Sequence, residues 1–237
     1  MTVLENVTQM RLPLEVAELV EEKETNKDLN KNQLLMKQVL DDLGNMPYYP
    51  NGKKEHEKAV REILLSHGMV EKFKGKYGKG RSDLTKPFLE KKKYPKGQYF
   101  IWQPHGSQSY PDFYLFFDGV KIPLECKSAK SAGKITWNSG YPREGGIYVF
   151  ADGKQDKNYL FMGEDHWDPK QKKDWFAAKD TLKARVKELI EEFDKEFGNT
   201  DFYLYFREMW MDRITICNTD AKQKLKNVYD YFNKELK

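Results

Sequence analysis

The residues with the greatest capacity for chemistry lie in PDFYLFFDGVKIPLECK, residues 111–127. Asp118-Gly119 is a favoured two-residue hairpin turn, because both positions tolerate positive φ. With that turn, Phe117 faces Val120 and, counting back along both strands, Asp112 faces Glu125. Directly opposed residues have Cβ atoms roughly 4.5–5.5 Å apart, close enough for two carboxylates to share one cation. Side chains alternate along a strand, so Lys127 joins Glu125 on that face. The other face carries Phe113, Leu115, Phe117, Val120, Ile122, Leu124 and Cys126, all apolar. A slip of one residue would put these in water and the acids in the core, so the pattern specifies the register. Pro123 cannot donate to a ladder and predicts an edge or a bulge at its position.

Two facing carboxylates repel unless a cation or a proton compensates. Hard oxygen donors select Mg²⁺ or Mn²⁺, and Mg²⁺ keeps several waters beside one or two carboxylates. Such a site activates water and neutralises charge on a phosphate. A neighbouring lysine can hold the attacking water or stabilise the transition state. These are the parts needed for phosphodiester hydrolysis. A purely structural ion-pair cluster of the same three residues is the alternative reading.

The elements that must position this hairpin can be read from periodicity. A helix is predicted over residues 30–43, with Leu35, Val39, Leu40 and Leu43 on one face and Gly44 as its stop. A second is predicted over residues 54–66, where His56, Ala59, Val60, Ile63, Leu64 and His67 share a face. Strands are expected at 99–103, 112–117, 120–127 and 146–151. A long helix follows over 175–197, with Leu182, Val186, Leu189, Ile190, Phe193 and Phe197 in helical period. Strands at 202–206 and 213–217 and a helix over 220–234 close the chain. Mixed strands, hairpins and helices argue for an α+β or mixed α/β class.

Residues 71–98 are rich in Lys and Gly and interrupted by Pro87 and Pro95. Between Lys72 and Lys96 there are ten Lys or Arg against two acids, Asp83 and Glu90. The expectation is a long surface excursion that buries little. It is either a solvated loop or an arm tracking a phosphate backbone, with Lys74, Lys76, Lys79 and Arg81 among its contacts.

Composition sets outer bounds. The chain has 237 residues, 39% hydrophobic and 33% charged, with a net charge of +4. That is enough apolar material for a core, and the small net charge does not by itself name a partner. Two cysteines, Cys126 and Cys217, form neither a disulfide framework nor a zinc pattern. No stretch suits a membrane span, and the start lacks a secretion signal, which predicts a soluble intracellular protein.

The string QPHGSQSYPDF (Gln103 to Phe113) followed by PLECKS (Pro123 to Ser128) resembles type II restriction endonucleases of the PD-(D/E)xK superfamily. The similarity runs from Gln103 to Phe150 and takes in ITWNSGYP and the strand IYVF; the rest of the chain is not matched. It implies a three-layer α/β/α core with a mixed sheet in a single nuclease domain over 1–237. Residues 1–98 would be a helical and basic elaboration, 99–217 the catalytic core and 218–237 a C-terminal helix. It further implies Mg²⁺ dependence (with Mn²⁺ able to substitute), double-stranded DNA as substrate, 5′-phosphate and 3′-hydroxyl products, and a prokaryotic cytoplasmic setting. Carried over by position, Asp112 and Glu125 bind metal, Lys127 is the catalytic lysine, and Cys126 fills the variable middle position.

Family members often place a glutamate on the helix before the sheet, and Glu57, rather than Glu62, is preferred here. Ser107 and Gln108 lie close enough before Asp112 to reach a scissile phosphate or a metal-bound water, or else cap a turn. Trp137 and Asn138 are candidates for base or groove contact, with Trp137 as a core plug the competing reading. Arg143 can read guanine or grip phosphate. His105 has no second histidine nearby and reads as a loop residue. Cutting both strands of a palindrome favours a homodimer. The rival functions are a mismatch- or structure-specific repair nuclease, a non-catalytic DNA-binding module and an RNA nuclease.

Overall fold

In the computed structural model the hairpin forms in the register its sequence specifies. Strand β3 (Phe113–Phe117) pairs antiparallel with β4 (Val120–Ala129), from Phe117 opposite Val120 to Phe113 opposite Leu124. Asp118 and Gly119 both hold positive φ in the turn. The structure describes residues 29–49, 53–75, 77, 80–107, 109–130, 135–137, 142–166, 169–198, 210–211 and 220–237. Among the expected elements, the strands at 202–206 and 213–217 lie outside the described residues.

The hairpin is the centre of a six-stranded mixed sheet in the order β1-β2-β3-β4-β6-β7. Strand β1 is Val70–Glu71, β2 Gln98–Trp102, β6 Ile147–Asp152 and β7 Lys157–Met162. Strands β1 and β2 are parallel, as are β4 and β6; the remaining neighbours are antiparallel. The β4–β6 ladder begins only at Leu124 opposite Ile147. Pro123 therefore sits on the last residue of β4 that has a neighbour on one side alone, and its missing N–H disrupts no ladder. The edge is local and there is no bulge, because the β3–β4 register is continuous through Pro123.

Three helices cover one face of the sheet: α1 (Lys31–Asn45), α2 (Lys53–Ser66) and α5 (Ala221–Glu235). Asn30 starts α1 with a capping box, its side chain accepting from Asn32 N and Gln33 N while Gln33 Oε1 accepts from Asn30 N. Met36, Val39, Leu40 and Leu43 of α1, Val60 and Leu64 of α2, and Val228 and Phe232 of α5 pack on Phe113, Leu115, Phe117, Ile122, Leu124 and Cys126. The apolar face of the hairpin is thus the floor of the main core. Gly44 does not stop α1, which continues to Asn45. A Cβ there would lie 3.2 Å from Leu160 Cδ1, so the glycine lets α1 approach β7.

The opposite face is covered too, which corrects the reading of residues 71–98. That segment contains a helix, α3 (Arg81–Leu89), and it buries Arg81, Thr85 and Phe88. Phe88 packs edge-on against Tyr99 and Phe116, beside Ile101. Its lysines mask four aromatic residues, Phe73, Tyr77, Phe88 and Tyr94, which supply an apolar surface that average composition hides. Further along this face, Ile135 and Trp137 lie against Tyr148, Phe150 and Phe161. Trp137 belongs to β5 (Thr136–Trp137), which pairs antiparallel with β8 (Trp210–Met211) in a separate two-stranded sheet.

The long helix, α4, runs over Pro169–Phe197. Its apolar stripe does not enter the core: Leu182 is 39% exposed and Leu189 58% exposed. No helix of the described residues is long and apolar enough to cross a membrane.

Candidate active site

Strands β3 and β4 separate at Asp112 and Glu125. Up to Phe113 and Leu124 they are paired with each other; beyond that point β4 continues against β6 alone. The fork leaves backbone N–H groups without their ladder partners, and the two acids supply replacements. Asp112 N donates to Glu125 Oε2 at 3.0 Å, and Cys126 N donates to Asp112 Oδ2 at 2.8 Å. Lys127, two residues on, places Nζ 2.6 Å from Glu125 Oε1. Asp112 and Glu125 are each 2% exposed and Lys127 is 5% exposed. Burying charges at this depth is costly unless they are paired and hydrogen-bonded, which these are.

Trp137 forms a wall of this site. It is 2% exposed, and Lys127 Nζ lies 5.6 Å from its ring centroid. A groove contact by Trp137 is corrected accordingly: the ring faces the lysine and the core, where it strengthens a cation held out of water. Tyr148, opposite Glu125 in the β4–β6 ladder, continues the wall and packs on Trp137, Phe161 and Tyr110. Burial pushes the Tyr110 and Tyr148 hydroxyls well above the ordinary phenol range, and the Glu125 charge adds to it. Both therefore stay protonated at physiological pH.

Glu57 is buried on α2, and its Oε2 accepts from Trp102 Nε1 at 3.1 Å and Gln103 Nε2 at 3.0 Å. Gln103 N in turn donates to the Asp112 carbonyl at 2.6 Å. Glu57 thus reaches the fork through Gln103. Sequence reasoning passed over Gln103, though β2 pairs Trp102 with Phe113 and so sets Gln103 beside Asp112.

Arg81 requires a second correction. Its side chain is fully buried, and its guanidinium donates to the carbonyls of Trp102, at 2.7 Å, and Gln103, at 3.4 Å, and to that of Phe73. It lies over the Tyr77 ring, 5.1 Å from the centroid. As placed it is not a phosphate contact; it fixes the end of β2 next to Asp112. One signal was available in the sequence: Arg81 is the one arginine in a run of lysines, suited to gripping several carbonyls at once.

The other candidates divide by position. Ser107 and Lys74 are exposed. Arg143 is exposed, with its guanidinium 4.5 Å from the Tyr110 centroid and its N–H donating to Tyr148 Oη at 2.8 Å, so it borders the same wall. His105 packs edge-on against Tyr114. Burial, then the charges of Lys121 and Arg143, hold its pKa below the ordinary histidine value. Gln108, Asn138, Lys76 and Lys79 lie outside the described residues.

Among the described residues no group of three or more His, Cys, Asp or Glu is arranged to hold a metal ion. A two-carboxylate site is what Asp112 and Glu125 offer. That donor set fits Mg²⁺ or Mn²⁺, which take hard oxygen ligands and complete their shells with water or phosphate oxygens. Zinc, which favours nitrogen and sulfur, is a poor fit, since Cys126 is turned into the main core. Compared with known proteins, the chain matches no family model, no curated protein and no solved structure.

Proposed function

We propose that this chain is a divalent-metal-dependent endonuclease acting on double-stranded DNA, built on a restriction-endonuclease-like core and cutting at defined sequences. The observation that carries the reading is the convergence of Asp112, Glu125 and Lys127 on one face of a hairpin at the point where its strands part. Helices on one face of the mixed sheet and α3 on the other are in keeping with a three-layer core.

Asp112 and Glu125 would hold the metal. When bound, it would lower the pKa of a water and neutralise charge on the phosphate. Lys127, paired with Glu125, would orient the attacking water or stabilise the pentavalent phosphate as charge builds. Glu57, through Gln103, would keep the Asp112 backbone in place. Arg143 beside Tyr110 would grip a flanking phosphate. The exposed lysines Lys74, Lys86, Lys91, Lys92, Lys93 and Lys96 would supply salt-dependent affinity for the duplex. Cleavage would leave a 5′-phosphate and a 3′-hydroxyl.

A second reading has its own observation: both acids already accept backbone N–H groups, and Glu125 already pairs with Lys127. On that reading the trio is a structural clamp. The deciding experiment is incubation of the full chain with long unmethylated duplex DNA in Mg²⁺ or in EDTA. Discrete fragments that require Mg²⁺ support the proposal, and a smear removes its sequence specificity. Intact DNA, followed by cleavage of mismatched or branched substrates, would assign the site to repair. Inertness on every substrate would leave the clamp.

A further inference from the structure

The face of the sheet that carries the Asp112 fork continues into a group of cationic and donor side chains that the metal chemistry does not use. Side chains alternate along β3 and β4, so Tyr114 shares the face of Asp112 and Lys121 that of Glu125. Tyr114 stands two residues beyond Asp112, roughly 7 Å along the strand. Lys121 Nζ lies 4.8 Å from the Tyr114 ring centroid, and His105 packs edge-on against the same ring, centroids 5.7 Å apart. Arg143 sits over Tyr110, two residues before Asp112, and its charge reaches both His105 and Tyr114. Among the described residues neither Lys121 nor Arg143 pairs with an acid, and neither the His105 ring nor the Tyr114 hydroxyl is hydrogen-bonded. Burial, then the charges of Lys121 and Arg143, disfavour a proton on His105, as crowded like charges do. Burial holds the Tyr114 hydroxyl above the ordinary phenol value against the pull of Lys121, so it remains a donor.

We propose that His105, Tyr114, Lys121 and Arg143 form an oxyanion site that takes a phosphate of a nucleic-acid backbone, beside the phosphate at the Asp112 fork. An ammonium, a guanidinium, a phenol and an imidazolium offer donors alone, the set that phosphate oxygens accept from. A phosphate among them offsets the repulsion between the two cations and lets His105 take up a proton, which adds a third charged donor. The interval from Tyr114 to Asp112 is on the order of that between neighbouring phosphates of one strand. Pro123, opposite Tyr114, puts no competing polar side chain between the two positions. The fork acids repel a phosphate until a cation bridges them, whereas this group attracts one without a metal. It would therefore hold the strand in place whether or not the metal is bound. The choice of a nucleic-acid phosphate rests on the nuclease reading, but none of the four residues holds the metal.

The test is duplex binding by the full chain in EDTA, read by fluorescence anisotropy over a salt series, with the titration of His105 followed by NMR. Lys121→Gln should weaken binding about tenfold at low salt, the scale of one charged hydrogen bond. It should also lower the slope of log affinity against log salt by about 0.9, the share of one phosphate contact. Lys187→Gln, at an exposed position of α4, should change neither, and circular dichroism checks that both variants fold. The His105 signal, identified by its loss in His105→Asn, should titrate at higher pH once duplex is bound. Inorganic phosphate at the same phosphate concentration should move it less. Wild-type affinity and slope in Lys121→Gln, or a His105 titration that duplex leaves in place, overturns the site while the nuclease reading stands. A His105 that answers to inorganic phosphate and not to duplex also overturns it, in favour of a small phosphate ligand. Binding with the expected slopes but no Mg²⁺-dependent cleavage supports the site and sinks only the nuclease reading. Failure to bind duplex at all overturns both.

Discussion

Asp112 and Glu125 each hold the other's strand: the Asp112 N–H donates to Glu125 Oε2, and the N–H that follows Glu125 donates to Asp112 Oδ2. Two like charges are thereby fixed side by side at the place where the β3–β4 ladder ends. The acids are not simply displayed by the hairpin; they terminate it. Neutralising one therefore weakens the fork as well as the charge cluster, and conservative variants are the informative ones.

Arg81 is expected to matter for stability without touching any substrate. Removing its guanidinium takes the side-chain donor from the carbonyls of Phe73 and Trp102, while Gln103 O keeps the Gly106 N–H at 3.1 Å. Arg81→Ala should cost about 3 kcal/mol in urea unfolding, the scale for buried groups left unsatisfied. Arg81→Lys should recover only part of it, since an ammonium does not reproduce the planar fork. Wild-type stability in Arg81→Ala would contradict this account of the β2 terminus.

Trp137→Ala opens the wall beside Lys127 and empties a buried site against Tyr148 and His166. Thermal or urea unfolding should show a loss of about 3–5 kcal/mol, as for other buried aromatic truncations. Trp137→Phe should lose less. A surface tryptophan engaged only with DNA would show no such loss.

Gly163 has no room for a side chain. A Cβ would stand 2.0 Å from the Arg143 carbonyl oxygen, a backbone atom that cannot rotate away. Gly163→Ala should push the Arg143 segment from its place, at about 1–3 kcal/mol of stability. Fluorescence of a probe attached near residue 143, or hydrogen exchange of the Arg143 amide, would report the movement.

Asp118 offers a pH signature. Hydrogen bonds from the Asn32 side chain, at 2.8 Å, and the Gly97 N–H, at 2.8 Å, hold its carboxyl below the usual carboxylate range. A pKa depressed in the folded state stabilises at pH above the unfolded value, and that contribution is lost as pH falls through the folded value. Asp118→Asn keeps the turn geometry and removes the charge. It should lower the unfolding midpoint near neutral pH, and the gap from wild type should close in acid. A gap that persisted unchanged in acid would mean that the charge plays no part.

Much of the site could be read from residues 111–127, because a two-residue turn and an alternating apolar face leave one register. The pairing of Phe113 with Leu124 follows from Asp118-Gly119 alone. What could not be read was the second layer of packing. Residues 71–98 looked able to bury little because their lysines dominate the count, yet Phe88, Thr85 and Arg81 anchor α3. Strand β7 went unrecognised, since Lys157-Asn158-Tyr159 breaks the alternation before Leu160, Phe161 and Met162 enter the two cores. The stripe on α4 was visible from its period, but period alone does not say whether a stripe faces the core or the outside. Glu57 and Gln103 meet through tertiary contact, which spacing along the chain does not encode.

The central claim is that Asp112, Glu125 and Lys127 form a catalytic centre and not a structural clamp. The most direct measurement is cleavage of a long unmethylated duplex by the wild type, Lys127→Met and Glu125→Gln, with Mg²⁺ and with EDTA, alongside unfolding curves of all three. The account predicts discrete Mg²⁺-dependent fragments from the wild type. From both variants it predicts a loss of at least about a hundredfold, the scale on which one transition-state contact acts, while each remains folded. Cleavage by folded Lys127→Met at the wild-type rate would contradict it.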